Sequence, residues 1–257
     1  MAHVPIVKTA VQAWSFSFSG IARWLPAAIV MFVASVGGTL IQRAMSAGPT
    51  QALAIVPNLI AAFIEIVAFA AMIRLGQDWV TDRQGTLNDR VVKFVVGPAE
   101  FSLFGLTMLG QFAGLLGLSA IVSFGAVLGG GGQLALMMLA LVAALWLIAR
   151  VSLAAPEAVS GHRLSLRRVW AYSQGEAWRI VLALLLTLAP FLAMALVVTT
   201  DLAGRMTNAG VNANDVSAVA TFISGALGHA LAVSGVQTIA MPALAAALAF
   251  LHRGLRQ

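Results

Sequence analysis

Residues 178–202 read WRIVLALLLTLAPFLAMALVVTTDL. From Ile180 to Thr200 no side chain is charged, and a helix of that length crosses a hydrocarbon layer about 30 Å thick. Trp178 and Arg179 at one end and Asp201 at the other put interfacial and charged groups at the two boundaries. A compact Leu/Ala/Val block of this kind predicts a membrane-spanning helix. Stretches meeting the same criterion lie at 25–47, 52–75, 99–128, 133–155 and 218–251. The last is overlong and holds Gly225, Gly228, Gly235 and Pro242, so a tilted, kinked or partly interfacial helix is expected there.

The composition of the whole chain agrees with this reading. Of 257 residues, 60% are hydrophobic and only 9% charged, against about 25% in a soluble globular domain. Mean hydropathy is +0.94. So few ionisable side chains cannot cover a globule in water, which excludes a soluble fold. With no cysteine, disulfides, thiolate chemistry, iron–sulfur clusters and cysteine zinc sites are excluded too. Residues 1–24 carry Lys8 and Arg23 and are interrupted by Pro5, Gln12, Ser15, Ser17 and Ser19. No clean apolar core precedes a cleavage site, so the first span is expected to be retained.

The positive charges set an orientation. Lys8 and Arg23 precede the first span. Arg74, Arg83, Arg90 and Lys93 lie between the second and third, and Arg150, Arg163, Arg167, Arg168 and Arg179 between the fourth and fifth. Arg253 and Arg256 follow the sixth. Of the 15 Lys and Arg residues, only Arg43 and Arg205 fall in the alternate loops. The positive-inside rule then predicts a multi-pass protein of the bacterial inner membrane with both termini in the cytoplasm. The net charge of +6 points to anionic lipid head groups as partners rather than nucleic acid, because the cations sit between apolar runs.

Element order suggests one integral membrane domain, 1–257, with a period near 80 residues that divides it into 4–75, 86–155 and 164–253. Each unit would be an amphipathic segment followed by a helical hairpin. One helical face gathers Val7, Ala10, Val11, Trp14 and Phe18 in the first segment, Leu87, Val91, Phe94 and Val95 in the second, and Leu166, Val169, Trp170 and Ser173 in the third. Thr86 and Asp89 have capping-box spacing, and each segment is expected to lie flat at the lipid boundary. The run Gly129–Gly132 reads as the turn of the second hairpin. The fold class expected is therefore all-α, polytopic, with six transmembrane helices as three hairpins and amphipathic interfacial helices.

Glu65 is the acid that lies well inside a predicted span. A charge at mid-helix costs about 2.5–3.5 kcal/mol on insertion scales, which the Leu, Ile, Phe and Val residues of that span offset at about 0.3–0.6 each. Glu65 shares a face with Ala61, Ala62, Ala68 and Met72, small enough on one side for another helix to approach and supply a donor. It reads either as a proton or substrate site or as a hydrogen-bonded carboxyl that locks packing. Gln111 and His229 are its candidate polar partners. His229 adjoins a small-residue row, Ser224, Gly228, Ala232 and Gly235, matched by Gly110, Gly114 and Gly117 in the third span. His3, His162, His229 and His252 show no ligand spacing, so no metal or other cofactor is expected. Pro190 and Pro242 each remove a helical hydrogen bond; broken helices occur at transporter sites, but also in ordinary membrane helices.

Gly-x-Ser-x-Gly, His-Glu-x-x-His, Gly-x-Gly-x-x-Gly and Gly-Lys-Ser/Thr are all missing, and the only lysines are Lys8 and Lys93. The chain is not expected to be an enzyme. Its most specific pattern runs Ala149-Arg150-Val151-Ser152-Leu153-Ala154-Ala155-Pro156-Glu157 and then Ser165-Leu166-Arg167-Arg168-Val169-Trp170-Ala171-Tyr172-Ser173-Gln174-Gly175-Glu176-Ala177-Trp178-Arg179-Ile180. Physically, a span ends near Pro156, an amphipathic stretch follows, and Trp178-Arg179 anchors the next span. The string resembles the bacterial membrane-domain family named after glycerophosphoryl diester phosphodiesterases, where Arg-x-Ser-Leu-x-x-Pro leads through a short helix to Gly-x-x-Trp-Arg. Val96-Gly97-Pro98-Ala99-Glu100 is similar to that family's approach to the third span. The layout matches over most of the chain, the motif only over 96–100 and 149–180.

The resemblance implies a membrane domain without the soluble catalytic barrel that carries phosphodiesterase activity in such proteins, so no catalytic residue is transferred. Arg150, Pro156, Gly175, Trp178 and Arg179 match the motif and, with Arg163, Arg167 and Arg168, form a candidate cytoplasmic-interface site for anionic lipid, a protein partner or a second copy of the chain. Helix termination plus lipid anchoring is the plainer account of the same residues. The rival function is a small transporter or channel with a midplane site around Glu65.

Overall fold

The structure is a computed structural model that describes residues 5–46, 55–81, 92–161, 164–211 and 226–256, together with Leu53, Ala218 and Phe222. The described residues are mostly helical, with no strand among them. In chain order the helices are α1 (Ile6–Ser19), α2 (Ile21–Ser46), α3 (Ile55–Thr81), α4 (Pro98–Val151), α5 (Ala154–Val159), α6 (Leu166–Tyr172), α7 (Ala177–Asn208) and α8 (Leu227–Arg256). Six helical stretches are long and apolar enough to cross a membrane: Ile21–Met45, Ile55–Thr81, Pro98–Ile121, Leu134–Val159, Ala177–Asn208 and Gly228–Arg256. The protein is an all-α, polytopic membrane protein.

Helix α4 holds two of these spans. As a straight rod its 54 residues would extend about 80 Å. Yet Leu103 and Leu106 near its start line the same cavity, about 420 Å³, as Leu145 and Ala149 near its end. The chain therefore doubles back between Gly110 and Leu145, and two spans lie side by side. The expected turn at Gly129–Gly132 differs in form: helical hydrogen bonding continues through the four glycines instead of giving way to a loop.

The core lies where α3 and α8 cross, flanked by α1, α2 and α7. Small residues allow the approach. A methyl group on Gly76 would sit 3.3 Å from Ala246 Cα and Ala249 Cβ, and one on Gly38 would sit 2.7 Å from Ala61 Cβ. Phe16, Met72, Ile73, Ile180 and Leu248 fill the centre and are fully or almost fully buried. The glycine rows expected to carry close contacts do not: Gly110, Gly114, Gly117, Gly228 and Gly235 have open space where a side chain would stand. Ser224 lies outside the described residues.

The amphipathic segments also differ from expectation. Helix α1 docks on α7 and α8 through Thr9, Ala10, Ala13, Phe16 and Ser17, while Val7, Val11 and Phe18 of the predicted apolar face point outward and are exposed. A protein interface selects small side chains for close packing, and the larger apolar ones are left for lipid. In the second segment, residues 92–96 are not helical, with Phe94 and Val95 exposed; Leu87, Val91 and the Thr86–Asp89 spacing lie outside the described residues. In the third, α6 is helical as expected and buries Val169 and, just after it, Ser173.

Candidate functional site

Charged side chains converge at one end of the bundle. Glu100 is almost fully buried there, for a local and a distant reason. It caps α4 by accepting from the Gly97 backbone N–H at 3.0 Å, and it pairs with Arg74 from the last turns of α3. The Gly97-Pro98-Ala99-Glu100 motif thus ties two spans together as well as starting one.

A second buried carboxylate organises more of this end. Glu157 follows Pro156 in α5, and its side chain is fully buried. Its Oε2 lies 2.8 Å from His252 Nε2 and 3.8 Å from Arg256, both of α8; its Oε1 accepts from Arg168 of α6 at 3.0 Å. One acid thereby holds two arginines and a histidine from two helices, an arrangement stable only while its charge is compensated. Tyr172 packs against His252 with ring centroids 5.9 Å apart, and its hydroxyl donates to the Leu153 carbonyl at 3.4 Å. Burial, reinforced by the Glu157 charge, pushes the Tyr172 phenol above its ordinary value of 10.

Arg150 is 7% exposed and its guanidinium packs against two indoles, 4.4 Å from the Trp146 centroid and 4.3 Å from that of Trp170. The rings themselves meet edge to face at 5.3 Å. Its buried Nε has no hydrogen-bond partner, so the two π-faces carry the cation. This is the motif arginine, and its role here is to pin the end of α4 against α6.

The other predicted interface residues spread around this end. Pro156 is buried in α5 and its carbonyl accepts from the Gln77 amide at 2.9 Å. Gly175 turns the chain from α6 into α7 at φ +84°, a left-handed conformation that favours glycine. Trp178 and Arg167 are exposed, and Arg179 pairs with Glu176 at 3.7 Å. Arg163 lies outside the described residues. No protein-family model matches this chain, and comparison with curated proteins and with solved structures returns no match.

The three predicted intramembrane polar residues are not brought together. Glu65 receives a hydrogen bond from Ser35 of α2, whose hydroxyl is 3.2 Å from that of Ser234 in α8. Gln111 is exposed on α4. His229 lines a separate cavity of about 890 Å³ with Asp201 and Arg205, which pair with each other at 2.8 Å. Among the described residues no group of three or more metal-ligating side chains occurs. Sequence reasoning missed Glu157 and Glu100 because each sits at a helix end where an acid is unremarkable, and their partners lie far away in the chain. The signal available was scarcity: of 9 acids, these follow prolines at the edges of apolar runs.

Proposed function

We propose that the protein is a non-enzymatic module of the bacterial inner membrane, with both termini in the cytoplasm, that organises anionic lipid or a protein partner through its basic face. The observation that carries this reading is the gathering of Arg74, Arg150, Arg168, Arg253 and Arg256 at one end of the bundle, tied down by two buried carboxylates and an aromatic pair. Arg167 and half-exposed Arg168 present charge outward, each contributing about 1 kcal/mol near an anionic surface. The family resemblance supports a membrane domain with an interfacial motif and brings no reaction with it. Replacing Arg163, Arg167 and Arg168 together by glutamine is expected to strip anionic lipid from the purified protein, read by mass spectrometry. Unchanged lipid and unchanged partners would overturn the reading.

The Glu65–Ser35–Ser234 line, which crosses three helices, is the observation favouring the second reading, a small transporter or channel. That reading expects Glu65→Gln to alter flux in proteoliposomes while the melting temperature stays the same. A lowered melting temperature with unaltered flux assigns Glu65 to packing.

A further inference from the structure

The cavity between the ends of α3, α5 and α8 has a volume of about 440 Å³ and is lined by Gln77, Thr81, Ser160, His252, Arg253 and Arg256 among others. No acid lines it. Of the described acids, Glu157 reaches it from behind, through His252 and Arg256. The described lining thus carries two arginines, and the one carboxylate behind it is shared by Arg256 with Arg168 and His252. Among the described residues the cavity between α2 and α3 and the one beside α4 have no charged lining, and the cavity at His229 includes Asp201.

From this we propose that the α3–α5–α8 cavity binds a phosphate group. The donors are the two guanidinium groups: Arg253 gives one N–H to the Val80 carbonyl and has others, and Arg256 makes only a long contact with Glu157. Thr81 and Ser160 donate to the Gln77 and Pro156 carbonyls, so their oxygens shape the wall while arginine holds the anion. Guanidinium forks arriving on successive turns of α8 suit a tetrahedral group with several acceptor oxygens. The cavity sits at the ends of three elements, two of them helices long and apolar enough to cross a membrane. The inference rests on the proposed reading of this end as the lipid-facing basic one, and it names the ligand chemistry: a lipid headgroup phosphate or free phosphate.

The test uses the full chain in detergent, titrated with phosphatidylglycerol, with a fatty carboxylate of equal charge and with inorganic phosphate, and read by native mass spectrometry. Wild type is expected to retain phosphatidylglycerol over the carboxylate. Arg256→Gln is expected to bind it about tenfold more weakly, the loss of a charge-assisted hydrogen bond. Thr81→Trp, at an exposed position on the cavity rim, should block the site with both arginines intact, and Arg205→Gln at the far end should change nothing. Displacement by inorganic phosphate makes free phosphate a source as well; no displacement makes the headgroup the source. Equal retention of phosphatidylglycerol by wild type, Arg256→Gln and Thr81→Trp overturns the cavity assignment, as does equal retention of the carboxylate. If the Arg163/Arg167/Arg168 variant sheds lipid while Arg256→Gln does not, the basic-face reading stands and only this cavity is lost.

Discussion

Glu157 is the residue on which the charged end depends. Removing one partner of a buried ion pair strands the others, at about 3–5 kcal/mol. Glu157→Ala is therefore expected to lower the melting temperature sharply in detergent, with Glu157→Gln intermediate because it keeps the volume and one hydrogen-bonding oxygen. A Glu157→Ala protein that melts like wild type would show that His252, Arg168 and Arg256 need no compensation. Tyr172 offers a spectroscopic reading of the same place, since it is the chain's single tyrosine. Its phenol stays protonated in the folded protein above pH 10, where the unfolded chain loses the proton, so stability falls as pH rises past 10. Phenolate absorbance of the folded protein should accordingly appear only well above pH 10. A midpoint at 10 would mean that the ring is solvated.

Helices show where sequence was legible and where it was not. Apolar length announced every span, because crossing a bilayer demands an unbroken run whatever its neighbours are. The docking face of α1 was only half legible: periodicity finds the largest apolar stripe, and here its Val7, Val11 and Phe18 face outward while its Ala10 and Trp14 join Ala13 and Ser17 at the contact. The same blindness affected glycine, since a row at helical spacing looks alike whether it meets a neighbour, as Gly76 does, or open space, as Gly114 does. The doubling back of α4 gives this scale its prediction. In a chain without native cysteine, the pair Leu106→Cys and Ala149→Cys should be joined within one molecule by a short bifunctional thiol reagent. A straight helix would hold these positions roughly 65 Å apart, and no intramolecular product would form.

On the scale of the whole molecule, the charged contacts bring together the last turns of α3, the first of α4, the short helices α5 and α6, and the last turns of α8. The proposed function puts both termini on the cytoplasmic side, and a fusion tests it. A fluorescent protein fused after Gln257 should light up in the cytoplasm, and alkaline phosphatase at the same point should be inactive. The reverse pattern would turn the basic face outward and remove the proposed function with it. The Glu65 line was half legible: an acid among small residues called for a donor from a neighbouring helix, but which helix would approach depends on packing that no local pattern encodes. Finally, the Trp14 indole donates to the Thr187 carbonyl at 2.9 Å, in the turn before Pro190, across 173 residues of chain. At about 5–20 residues per second of synthesis, that acceptor leaves the ribosome roughly 10–35 s after its donor. The amino-terminal helix must therefore wait undocked while the middle of the protein is inserted, and its outward Val7, Val11 and Phe18 are suited to holding it on the membrane surface through that interval.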